Sequence, residues 1–148
     1  MKNFIAGRAL TEGKQPNSRR IRMSRKDYWY EKEQLKIEIQ QMGEDLCIHF
    51  YGGDRGHIGS VAMAEPRPSL TGSGKISATV SVYTYAGHKD DILASTIARE
   101  VSAKLNRKCV VAVGIHYDHF TPDHLTAVNE ITEKIPIMAE ETYGALPA

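Results

Sequence analysis

The sequence predicts an α/β domain of the α+β kind, a five-stranded mixed sheet in the order β-β-β-β-α-β-α. Three features carry that prediction. Segments between residues 35 and 83 alternate apolar with polar residues, a four-residue apolar period sets in after Gly87, and the unbroken apolar run Cys109 to Ile115 precedes a second amphipathic segment. This order reads as an antiparallel meander followed by a right-handed βαβ crossover, with the helices on one face.

The elements follow in order. Tyr28-Trp29-Tyr30 opens the ordered body. Leu35, Ile37 and Ile39 alternate with polar residues, Gly43-Glu44-Asp45 turns the chain, and Leu46, Ile48 and Phe50 alternate again as the hairpin partner. Gly52 to Gly56 is a turn-rich loop before a third strand from about Ile58 to Ala64. Glu65 to Gly74, rich in Pro, Ser and Gly, leads to a fourth strand in which Ile76, Ala78, Val80 and Val82 share one face. Leu93, Ile97, Val101 and Leu105, joined by Ile92 and Ala94, mark a helix ended by Asn106-Arg107-Lys108. Cys109 to Ile115 suits a parallel strand buried on both faces. Thr121-Pro122-Asp123 starts the last helix with a capping hydroxyl, a proline and an acid. Leu125, Val128, Ile131, Ile135 and Met138 line it, and Pro136 is expected to kink or end it.

The chain's 148 residues suit one domain, with 41% apolar residues to build its core. No stretch approaches the ~20 apolar residues of a membrane span, and the opening residues lack the apolar run of a signal peptide. A cytoplasmic protein is expected. Cys47 and Cys109 fall in separate strands without metal spacing, as reduced thiols do. The net charge of +1 hides an asymmetry. Residues 1–26 hold eight basic residues and one acid, a local +7, and the remainder holds 11 basic and 17 acidic, −6. Residues 1–27 therefore read as a basic, flexible leader and residues 28–148 as a single ligand-binding domain. A body of negative sign argues against nucleic acid as a partner.

The expected topology places Gly52–His57, Tyr85–Asp91 and His116–Phe120 at one edge of the sheet, where α/β proteins gather ligands. Gly52, Gly53, Asp54, Arg55 and His57 combine close backbone approach with an acid, a guanidinium and an imidazole; equally, the glycines serve a hairpin loop. Gly87-His88-Lys89-Asp90-Asp91 opens a helix, which suits an anion near Lys89 or simple capping by Asp90. His116 stands beside Asp118 directly after a buried strand, an arrangement open to a general-base pair on a small aromatic acid.

Glu65-Pro66-Arg67-Pro68-Ser69 begins at the opposite edge, its prolines holding Arg67 either as a rigid turn or toward a second subunit. Gly72-Ser73-Gly74-Lys75 lacks the glycine and hydroxyl spacing of a phosphate-binding loop, and it precedes a strand. Four of six histidines fall in the convergent loops, so His57, His116 and His119 are candidate metal ligands, although their spacing matches no defined zinc pattern. His49 and His124 read as structural or solvated. An uncovered sheet edge points to a homo-oligomer, most simply a dimer.

Gly52-Gly53-Asp54 with His57-Ile58-Gly59, Glu65 to Ser69, Gly87 to Asp91 and Gly114-Ile115-His116-Tyr117-Asp118 together resemble the LpdD family over about residues 33–140. That family comprises accessory subunits of gallate-type decarboxylases that act as chaperones for prenylated flavin mononucleotide. The resemblance implies a non-catalytic protein that holds prenylated FMN and exchanges it with a UbiD-type decarboxylase. It implies cofactor contacts from Gly52, Gly53, Asp54, His57, Arg67, Ser69, His88, Lys89, His116 and Asp118. Gly87–Lys89 or Arg67 is suited to the phosphate, and Tyr85, Tyr117, Phe120 and Met63 to the ring. A structural decarboxylase subunit without a ligand is the other non-enzymatic reading.

Overall fold

The computed structural model describes residues 5–6, 28–88 and 90–148. The leader expected over residues 1–27 thus lies outside the described residues, apart from the two-residue strand β1, Ile5–Ala6. The other elements are β2 (Tyr28–Lys32), β3 (Leu35–Met42), β4 (Asp45–Gly53), β5 (Arg55–Pro68), β6 (Ile76–Thr84), α1 (Asp91–Leu105), β7 (Cys109–His116) and α2 (Pro122–Tyr143). The mixed sheet and two helices are as expected, but the sheet has more than five strands, in the order β1-β2-β3-β4-β7-β5-β6.

Two differences have clear physical causes. Strand β2 escapes a periodicity reading because Tyr28-Trp29-Tyr30 does not alternate, and because its turn to β3 carries no turn residue. Glu33 and Gln34 form that turn at φ of 50° and 68°, a left-handed pair usually built from Asn and Gly. The second difference is the position of β7. A meander would pair β4 with β5, yet β7 lies between them, parallel to β4 and antiparallel to β5. The most apolar strand thereby fills both its rows of backbone hydrogen bonds in the sheet interior, which outweighs the tendency of consecutive strands to pair.

Only one face of the sheet is covered. Leu35, Ile37, Ile39, Leu46, Ile48, Phe50, Val111 and Val113 are fully buried in one cluster with Ala94, Ile97, Val101 and Leu105 of α1 and Val128, Ile131 and Ile135 of α2. Each large aliphatic side chain buried there contributes roughly 1.5–3 kcal/mol. The expectation that β7 is buried on both faces fails: Cys109, Val111 and Val113 point inward, and Val110 and Met63 remain exposed on the opposite face. Ile92 and Leu125, expected on the helices' apolar faces, are exposed as well. Both cysteines are free thiols, and burial pushes the Cys109 thiol up to about 12. Among the described residues no helix is long and apolar enough to cross a membrane.

Helix α2 starts where the sequence places it. Thr121 accepts the His124 backbone N–H, and His124 Nδ1 accepts the Thr121 N–H, a capping box with histidine in the usual place of glutamate. Pro136 does not end the helix: it is buried with Ile135 and Ala139, and the helix runs on to Tyr143. Packing of that face offsets the lost backbone bond. Arg107, read from sequence as a C-terminal cation of α1, instead clamps the far end of α2. Its guanidinium donates to the carbonyls of Glu44, Tyr143 and Gly144, and the residue is 6% exposed.

The junction of β5 with β7 is the tightest place in the sheet. Arg55 and Gly56 pair with His116 and Ile115, and pairing resumes at Ser60 opposite Val113, so His57, Ile58 and Gly59 face the single residue Gly114. A Cβ on Gly114 would stand 1.6 Å from the His57 carbonyl oxygen. Backbone on both sides cannot yield cheaply, so Gly114→Ala should lose at least about 2 kcal/mol of stability in urea unfolding. Gly43→Ala meets no atom within 4 Å and carries only the backbone strain of its φ of +65°, so it should lose less.

Candidate functional site

The convergence expected of the loops depends on strand direction rather than strand order, and it survives the rearrangement. Strands β4 and β7 are parallel and end together, with Gly53 paired to His116. Antiparallel β5 starts at that edge with Arg55, and β6, antiparallel to β5, returns there with Thr84 opposite Ser60. Two polar groups result, joined through β7.

The first group surrounds His116. The Asp54 N–H donates to the His116 carbonyl at 2.7 Å, and the Asp54 carboxylate accepts the Asp118 N–H at 2.7 Å. Gly53 allows this approach, since a Cβ there would lie 2.3 Å from the His116 carbonyl oxygen. His116 Nε2 stands 3.1 Å from Arg55 Nη2 and 3.0 Å from Asp118 Oδ1. A guanidinium only donates and a carboxylate only accepts, so the proton on Nε2 selects between them. With a hydrogen it donates to Asp118; without one it accepts from Arg55, itself 3.7 Å from Asp118. Arg55 and Asp118 are largely exposed, which makes these contacts weak in stability but accessible to a ligand.

The second group joins His57 of the bulge, His88 of the β6–α1 loop and Asp90 at the start of α1. The rings of His57 and His88 lie 4.4 Å apart. Asp90 occupies the N-cap position but makes no side-chain capping bond. Its carboxylate turns toward His57 Nε2, 3.5 Å away, and is 13% exposed. Burial raises the Asp90 pKa, opposed by the charge and proximity of His57 and, less, by the Ile115 backbone and His88. Ordinary capping, one reading of Asp90 from sequence, is therefore not its role.

The other candidates divide. Gly52 and Gly53 lie at this edge with φ of 130° and 78°, against Gln34 and His116. Lys89 lies outside the described residues. Arg67 and Ser69 are at the opposite edge, where Arg67 donates to Thr79 Oγ1 and the Pro68 carbonyl and the Ser69 N–H donates to the Lys75 carbonyl. Within one chain they do not meet the rest. His119 is exposed and is not part of the histidine–carboxylate group. Of the aromatics, Tyr85 and Phe120 are exposed at the loop edge. Tyr117 is buried, stacked 3.8 Å from the His124 ring and donating to the Glu33 carbonyl, so it is structural. Met63 lines a concave region of about 500 Å³ on the open sheet face, with Cys47, Thr79, Ser81, Lys108 and Val110. That hollow lies toward the edge opposite the convergent loops, and the sequence did not suggest it.

A chain of a novel chaperone complex for yeast 20S proteasome assembly has a similar fold, with a TM-score of 0.50 over 80% of this chain and 95% of that one. At 16% identity the likeness concerns fold alone. Residues 30–142 match the family described as the prenylated flavin chaperone LpdD-like domain. The chain belongs to this family, one of chaperones rather than enzymes. It is also 29% identical over 126 residues to protein LpdD of Lactiplantibacillus plantarum, covering 75% of this chain and 88% of that protein.

One glycine sets the spacing of the second group. A Cβ on Gly59 would fall 2.0 Å from Asp90 Oδ2 and 3.1 Å from His57 Nε2, both at the ends of movable side chains. Gly59→Ala should therefore displace the carboxylate and imidazole with a stability loss of no more than about 1–2 kcal/mol. The check is NMR: the ring resonances of His57 and His88 should move and those of His49 should not.

Proposed function

We propose that this protein holds prenylated flavin mononucleotide, or a closely related flavin, at the shared loop edge and delivers it to a UbiD-type aromatic acid decarboxylase without catalysing turnover itself. The observation carrying this reading is that the family match spans the residues of that edge, from Gly52 through His88 to Asp118.

The residues present fit such a ligand. A flavin mononucleotide brings a phosphate dianion, a hydroxylated chain and a flat ring. Arg55 offers an exposed guanidinium for the phosphate. His57, His88, His116, Asp54 and Asp118 suit the polar chain and ring edge, and Tyr85 and Phe120 the ring face. A homodimer belongs to this reading: Met63, Tyr83 and Val110 leave apolar surface on the uncovered sheet face. In such an assembly Arg67 and Ser69 would serve the edge of a second copy. The His116–Asp118 contact at 3.0 Å keeps a second reading in view, a general base acting on a small aromatic acid.

The test is co-expression with a flavin prenyltransferase, followed by absorption spectroscopy of the purified protein and mass spectrometry of the ligand released on denaturation. The chromophore should co-purify and should restore activity when the loaded protein is mixed with apo-decarboxylase. His57→Ala combined with His116→Ala should abolish retention, and His116→Ala alone should weaken it while the thermal transition stays within a few degrees, since the half-exposed His116 should shift stability by only about 0.5 kcal/mol. Loss of chromophore with Lys108→Ala alone would move the site to the open-face hollow. Turnover of hydroxybenzoates by the isolated protein would replace the chaperone reading with the enzymatic one.

A further inference from the structure

His57, His88 and Asp90 each present one ligand atom, and these three atoms all lie within 4.8 Å of one another. From their geometry we infer that they form a binding site for a divalent transition-metal ion, distinct from the set His57, His116 and His119 that the sequence suggests.

Three observations converge on this assignment. First, His57 Nε2 is buried but makes no hydrogen bond with any described residue, although Asp90 Oδ2 is only 3.5 Å away. A buried ring nitrogen whose nearest polar group is a carboxylate 3.5 Å away, too far for a full hydrogen bond, leaves a place that an ion between the two would satisfy. Second, Asp90 gives up the capping bond that its position offers, and turns a largely buried carboxylate toward the two imidazoles. Third, the space between the carboxylate and His57 exists because residue 59 is glycine; a methyl group there would occupy it.

The donor set defines the class of ion. Two imidazole nitrogens and one carboxylate oxygen suit zinc, cobalt, iron(II) or manganese, whereas magnesium and calcium favour all-oxygen sites. Ligand atoms around such an ion sit roughly 3–3.5 Å apart, given bonds of ~2.0–2.1 Å. His88, on the exposed loop, closes the remaining distance by side-chain rotation, and His57 and Asp90 are already in place. Three protein ligands leave coordination positions open to solvent at the loop edge.

The inference does not rest on the flavin reading, because it is tested on flavin-free protein. The tag-free full chain, stripped with chelator, is titrated with Co²⁺ while the visible d–d absorption is recorded, and with Zn²⁺ by calorimetry. Binding at 1:1 stoichiometry is expected, weakened at least about tenfold in His88→Ala and in Asp90→Asn. Both variants should keep the wild-type far-ultraviolet circular dichroism, since neither residue lies in the hydrophobic cluster. His119→Ala should bind as the wild type does. Absence of 1:1 binding would overturn the assignment. So would affinity unchanged in both His88→Ala and Asp90→Asn, or binding abolished by His119→Ala.

Discussion

The close approach of Gly114 to the His57 carbonyl is the contact on which the rest of the molecule depends. Strand β7 can enter between β4 and β5 only if β5 accommodates three residues opposite one, and that bulge presses its backbone against β7 where no Cβ is tolerated. Once β7 is seated, its buried face joins β5 and β6 as the floor beneath α1. Its last residues also become the meeting point of three loops. Fold and site are thus consequences of one packing event.

The bulge does a second thing. By adding residues to β5 it directs the His57 side chain toward the start of α1, instead of leaving it in the regular alternation of a strand. Gly59 keeps that region open, and Asp90 enters it from the helix. The result is a largely buried carboxylate 3.5 Å from an imidazole nitrogen that makes no full hydrogen bond among the described residues, an arrangement costly in an empty protein and useful for a ligand. The His116 group next to it is of a different kind. Its charges are solvated, its hydrogen bonds alternate with the protonation of one nitrogen, and it suits transient contact with a polar ligand.

The remaining surface divides by function. Arg107 ties the end of α2 to the β3–β4 turn, fixing the rear of the domain away from the loop edge. The uncovered sheet face carries the odd-numbered residues of β4 and, from Val61 to Glu65, those of β5, with Cys47, Met63 and the hollow they line. A face that is neither charged throughout nor buried is consistent with association, and it is separated from the loops that carry the polar groups.

Alternation in β3, β4 and β6, the four-residue periods of α1 and α2, and the Thr121-Pro122 start were legible because each is a local relation between neighbours in the chain. The same local reading placed the loops around Gly53, His88 and His116 at one edge, since strand directions are set by the succession of turns. Strand β2 was not legible, because two non-glycine residues adopt left-handed turn conformations that only the neighbouring sheet enforces. Nor could the chain show that Arg67 is remote from the other candidates or that Asp90 abandons its capping role. By itself, then, the sequence determined the centres of β3 to β7 and of both helices, the way they run and the polar loops around Gly53, His88 and His116 that gather at one edge. Tertiary structure alone decided that β7 separates β4 from β5 and that His57 meets His88 and Asp90. Both are settled by long-range competition for backbone hydrogen bonds and space, which no local pattern encodes.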